Sequence, residues 1–101
     1  MKRIFTGLLI YTIAVPAAQA GTIERACLQS DRQGASRALC GCIQDVANLT
    51  LNNSDQRLAA TFFQVPHRAQ EIRQSDRRSD ERFWERYKEF GSAAEVYCSS
   101  N

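Results

Sequence analysis

Four cysteines constrain what this chain can fold into more than any other feature: Cys27, Cys40, Cys42 and Cys98. The chain has only 101 residues, a size at which a hydrophobic core barely suffices and covalent staples are common. An even cysteine count points to two disulfides, provided the chain reaches an oxidising compartment. Each would stabilise the fold by about 3 kcal/mol through restriction of the unfolded chain. Three pairings exist, and one is awkward. Cys40 and Cys42 are two residues apart on a segment with helical periodicity, so their side chains point about 200° apart. Two pairings stay open: Cys27–Cys40 with Cys42–Cys98, or Cys27–Cys42 with Cys40–Cys98. An antiparallel hairpin turning near Gln33-Gly34 puts Cys27 opposite Cys40, which favours the first. In either, Cys98 fastens the C-terminal end.

The N-terminus supplies the route to such a compartment. Lys2 and Arg3 precede an apolar stretch from Ile4 to Val15, Pro16 breaks it, and Ala18-Gln19-Ala20 offers small residues for cleavage. Residues 1–20 thus read as a cleavable signal peptide, and residues 21–101 as a single helical four-cysteine domain. The apolar run is shorter than the ~20 residues a bilayer core requires. No membrane-spanning segment is expected once it is removed. The full chain has 13 Lys+Arg against 11 Asp+Glu, but Lys2 and Arg3 leave with the signal and the rest is nearly neutral. That balance offers no pull on nucleic acid. The expected location is the periplasm or the cell exterior.

Helix signals recur along the domain, and strand signals do not. Thr22 is placed to cap a helix reaching Ser30, with Ile23, Ala26 and Cys27 on one face. Asp31 to Ala35 reads as a turn. Ser36 is a fitting cap for a helix to about Leu51, on which Leu39, Cys42, Ile43, Val46, Leu49 and Thr50 make one apolar stripe. Asn53 or Ser54 would cap the next helix, with Gln56 completing a capping box behind Asn53. Leu58, Ala59, Phe62 and Phe63 carry its apolar face. Pro66 interrupts it, and a polar helical turn or two follows to about Gln74. The longest element is expected from Asp80 to Tyr97, begun by Ser79. Its core-facing stripe is Phe83, Tyr87, Phe90, Ala94 and Tyr97, with Trp84 on the shoulder. The expected class is all-α: a small bundle of three to five helices stapled by two disulfides.

Few constellations carry chemistry. Cys40-Gly41-Cys42 near a helix N-terminus would make a redox-active dithiol if the two sulfurs were paired. Cys27 and Cys98 favour structural disulfides instead. His67, the only histidine, stands four residues before Glu71, and two ligands are too few for a metal site. No motif calls for a cofactor, and no serine has a nucleophile-elbow setting. Asp80 and Glu81 fit the negative charge favoured at a helix start.

Arginine is the other concentration. Arg78, Arg82 and Arg86 form a stripe at four-residue spacing, with Glu81, Glu85 and Glu89 three residues after each. Such a stripe reads first as a solvated face of weak pairs. The sharper reading is a partner-binding face of Arg73, Arg77, Arg78, Arg82 and Arg86, gripping carboxylates beside Trp84 as an exposed anchor.

The run Cys40-Gly41-Cys42-Ile43-Gln44, with Pro66-His67, Gln74-Ser75-Asp76-Arg77-Arg78 and Phe83-Trp84-x-Arg86-Tyr87, resembles a family of small exported four-cysteine proteins of α-proteobacteria. The resemblance covers most of residues 21–101. It implies no catalytic residues. Some members carry the label "arginine transporter", which for a chain without a span implies at most an accessory role in solute transport. The leading expectation is a non-enzymatic module that binds a periplasmic protein or envelope component. The alternatives are a thiol–disulfide redox protein using Cys40 and Cys42, and an accessory of arginine transport.

Overall fold

In the computed structural model, Gly7, residues 21–30 and residues 34–99 are described. The expected signal peptide, Gly7 apart, and residues 31–33 of the expected turn lie outside the described residues. Among the described residues there are five helices and no strand: α1 (Thr22–Gln29), α2 (Arg37–Thr50), α3 (Asn53–Gln64), α4 (His67–Arg73) and α5 (Arg78–Cys98). The all-α bundle expected from periodicity is the fold.

Local chemistry sets most of the helix ends. Ser36 caps α2, its Oγ accepting from the Leu39 amide at 3.1 Å. Gly34, just before it, has φ +90°, a left-handed conformation that glycine adopts without strain. α3 is capped by Asn52 rather than Asn53 or Ser54; its Oδ1 accepts from the Asp55 amide at 2.8 Å. Gln56 completes no capping box because its side chain turns inward. α5 starts at Arg78, ahead of the expected Ser79. Ser75 arranges this: its hydroxyl accepts from the Arg77 amide at 3.1 Å and donates to Asp80 Oδ2 at 2.7 Å.

α1 packs on α2 and α3, α2 lies along α5, and α4 bridges α3 and α5. The core joins Ile23 of α1, Val46 and Ala47 of α2, Leu51, Ala59 and Phe62 of α3, and Phe83, Phe90 and Cys98 of α5. Phe62 presents its edge to Phe83 and Tyr87, with ring centroids 6.0 and 5.2 Å apart, a favourable arrangement for aromatic quadrupoles.

Two residues of the expected stripes are not in the core. Leu49 is 87% exposed and Tyr97 is 70% exposed. α2 is sandwiched between α1 and α5, so its buried surface is wider than one stripe: Cys40, Gln44 and Ala47 are buried beside Val46, and Leu39, Cys42 and Ile43 pack against the core. Leu49, on the edge of the expected stripe away from Cys40 and Ala47, is left in solvent. At the end of α5, Cys98 is the residue drawn inward, which turns its neighbour Tyr97 outward.

The disulfides are Cys27–Cys40 and Cys42–Cys98, with Cα atoms 5.6 and 5.8 Å apart. Of the two open pairings this is the favoured one. Cys40 faces α1 and Cys42 faces α5, as side chains two residues apart on a helix must.

The polar centre of the bundle was not expected from the pattern. Gln44 Nε2 donates to Gln56 Oε1 at 2.8 Å and Asn48 Oδ1 at 2.9 Å. Gln56 Nε2 in turn reaches the carbonyls of Ala47 and Leu51. Gln44 Oε1 accepts from the Glu24 amide at 2.9 Å, so α2 caps α1 through space. Thr22 is the first residue of α1, and Gly21, the residue before it, has no side chain to cap with. A Cβ at Gly21 would fall 2.2 Å from Gln44 Cδ, so any larger residue there would have to push aside the side chain that bonds the Glu24 amide. Gln44→Leu removes the cap and leaves the buried Gln56 Oε1 without its donor. It should cost about 2 kcal/mol and lower the thermal midpoint by roughly 10 °C, read by circular dichroism.

Candidate functional site

The first turns of α5 and the end of α4 enclose a groove of about 400 Å³. α4 is held there because Ala69 and Ile72 pack against the core. Ile72, Arg73, Arg78, Arg82 and Trp84 line the groove, with Glu81 and Glu85 among them. Four of the six residues expected on a binding face are therefore brought together.

Trp84 is half-buried rather than a free-standing anchor. Its ring stacks on Tyr87 at 5.2 Å and 28°, and Tyr87 stacks on Phe83 at 5.7 Å and 26°. The indole thus ends a ladder of rings rooted in the core. The ladder fixes its orientation, so a ligand meeting it would not have to order it.

The three groove arginines are exposed and available. Among the described residues the ion pairs are His67–Glu71, Asp55–Arg86 and Glu85–Lys88. The expected pairing of each arginine with the glutamate three residues on does not form. Glu85 turns to Lys88, 3.0 Å away, and Arg73, Arg78 and Arg82 have no carboxylate within ion-pair distance among the described residues. Glu81 is the only groove carboxylate without a cation of its own, so positive charge is in excess. Guanidinium groups so placed are suited to bidentate capture of carboxylates.

Arg77 and Arg86 lie outside the groove. Arg77 is the N-cap residue of α5. Arg86 is a strut: Nε donates to Asp55 Oδ2 at 2.6 Å and Nη2 to Asp55 Oδ1 at 2.9 Å. The Asp55 side chain is 7% exposed and that of Arg86 40%. Hydrogen bonding to Asp55 raises the Arg86 pKa above its ordinary value, the Asp55 charge adds to the rise, and burial opposes it. Arg86 therefore holds α3 on α5, apart from the groove in which four of the expected binding residues meet.

The remaining candidates are dispersed. Cys40 and Cys42 belong to different disulfides, and no cysteine among the described residues is free. The Cys40–Cys42 dithiol of the redox alternative is not formed. His67 and Glu71 are both exposed, with Nε2 and Oε1 3.9 Å apart. Among the described residues no three His, Cys, Asp or Glu gather to hold a metal, and no helix is long and apolar enough to cross a membrane. Asp55, the residue that decides the fate of Arg86, carried no signal in the sequence beyond its place in the first turn of α3. No family model, curated protein or solved structure matches the chain.

Proposed function

We propose that this protein is a non-enzymatic binding module of the periplasm or cell exterior, which docks a carboxylate-bearing segment in the groove between α4 and α5. The partner is another protein or an envelope component. The carrying observation is the set of three arginines without a carboxylate partner among the described residues, Arg73, Arg78 and Arg82, around the core-anchored ring of Trp84. The two disulfides accord with an oxidising compartment. A charged head meeting guanidinium groups and an apolar side chain meeting an indole are complementary contacts. The same excess of positive charge works against arginine as the ligand.

Trp84 is the only tryptophan in the chain, so its fluorescence reports on the groove directly. A synthetic glutamate-rich octapeptide, titrated into ~1 µM protein, should change the emission saturably. Added salt should weaken the effect. Arg78→Glu with Arg82→Glu should weaken binding at least ~10-fold, while a lysine-rich peptide has no effect. No response at millimolar peptide, or one untouched by the charge reversal, would refute the proposal.

A further inference from the structure

We infer that the carboxylate-bearing segment is supplied by a second copy of this chain, paired antiparallel along the outward face of α5. The inference rests on the reading of the α4–α5 groove as a docking site and names its occupant.

The outward face of α5 has two unlike halves. Arg78, Arg82, Glu85, Glu89, Ser92 and Val96 follow one another at steps of four, three, four, three and four residues. That spacing keeps them on one side of the helix and is the repeat by which two helices form a seam. The first half of the seam is basic and borders the groove already described. The second half borders a shallow depression of about 600 Å³, lined by Glu85, Lys88, Glu89, Ala93, Val96 and Tyr97 among others. Glu85 lines both hollows, so the two surfaces are continuous. On the seam itself the second half has the carboxylates Glu85 and Glu89 where the first has the guanidinium groups of Arg78 and Arg82. Glu85 is paired with Lys88 at 3.0 Å and would exchange it for Arg82 of the second copy. It ends in apolar surface, with Val96 74% and Tyr97 70% exposed.

A two-fold pair must present the same patch twice, so the patch must complement itself. Antiparallel pairing of α5 does this. One register sets Arg82 against Glu85 and Arg78 against Glu89 of the second copy, and the symmetry repeats both contacts. The next register along the seam sets Glu85 against Glu89, which like charge disfavours. Charge therefore selects the register. It also carries Val96 and Tyr97 past the start of the other α5, toward the α4 side where Ile72 and Arg73 stand. Trp84 is level with the two-fold axis but stands on the flank of α5, about 100° around the helix from Glu85.

Sedimentation equilibrium of the purified protein from roughly 10 to 300 µM tests this. The expected result is a monomer–dimer equilibrium for the natural sequence. Two variants, Arg78→Glu with Arg82→Glu and Glu85→Arg with Glu89→Arg, should each be monomeric across that range. All four positions are at the surface, and circular dichroism verifies that both variants fold. Mixed in equal amounts, the two should form a heterodimer, because one then presents an all-acidic and the other an all-basic face. A natural protein that stays monomeric, or a dimer that survives both reversals, would overturn the inference. If the protein is monomeric while the glutamate-rich peptide still changes Trp84 emission, the second copy is ruled out and the groove stands as a docking site. If neither response occurs, both readings fail.

Discussion

Replacing Cys42 and Cys98 together by alanine should lower the free energy of unfolding by about 4 kcal/mol, and replacing Cys27 and Cys40 by about 3 kcal/mol. The difference comes from the chain each bond encloses: the sequence separations are 56 and 13 residues. Loop-closure entropy grows only logarithmically, so the longer loop gains about 1 kcal/mol rather than four times the effect. Either loss is large for a domain of this size, whose whole stability is expected to be about 4–12 kcal/mol. The consequences differ locally. Without the Cys42–Cys98 bond, the last turn of α5 loses its tie to α2. Without Cys27–Cys40, α1 keeps its Gln44 cap and its packing on α3. Urea unfolding of both double variants measures this. Equal losses, or losses under ~1 kcal/mol, would contradict the argument.

Arg86→Met should cost about 3 kcal/mol, more than Asp55→Asn at about 1–2 kcal/mol. The asymmetry follows from burial. Removing Arg86 leaves the Asp55 carboxylate, with 7% of its side chain exposed, stranded without a counter-charge, and such stranding is costly. Removing the charge of Asp55 leaves Arg86 with 40% of its side chain exposed, where water takes over part of its hydrogen bonding. The double variant should lose less than the sum of the single losses, with a coupling of about 1–3 kcal/mol. The sign of the pH effect follows from the direction of the Arg86 shift. Its folded pKa lies above the unfolded value. This contribution is therefore fully present below the ordinary arginine pKa and is lost only as pH rises through the folded value, in strong alkali. Chemical denaturation of the four proteins gives the cycle directly, and equal single losses would remove the strut.

What the sequence disclosed was governed by local rules. The Ser36 cap, the Pro66 break, the all-α class and the favoured disulfide pairing each depend on a few neighbouring residues or on helix geometry alone. The misplacements have a common physical source. Apolar periodicity finds a helix face but not which neighbour the face meets, and α2 meets two. Its buried surface is wider than the stripe, so it takes in polar Gln44 as well as Val46 and leaves Leu49 exposed at the far edge. Gln44 is buried because Gln56, Asn48 and the Glu24 amide satisfy it. Asn48 is its i+4 neighbour, but Gln56 and the Glu24 amide come from other helices and have no signature near Gln44 in the sequence. Arg86 shows the same limit in the candidate site. Its spacing matches Arg78 and Arg82, but a carboxylate 31 residues away in the chain takes it out of the set. Arg73, Arg78, Arg82 and Trp84 were legible as neighbours because short helices and i to i+4 spacing bring them together.

The most direct test of the docking surface is a nuclear magnetic resonance map. Isotope-labelled protein would be titrated with the glutamate-rich octapeptide. The account predicts that the backbone signals of Arg73, Arg78 and Arg82 and the indole signal of Trp84 shift together and saturably, while those of Asp55 and the buried Gln44 stay in place. Shifts concentrated elsewhere, or no shift at millimolar peptide, would contradict it.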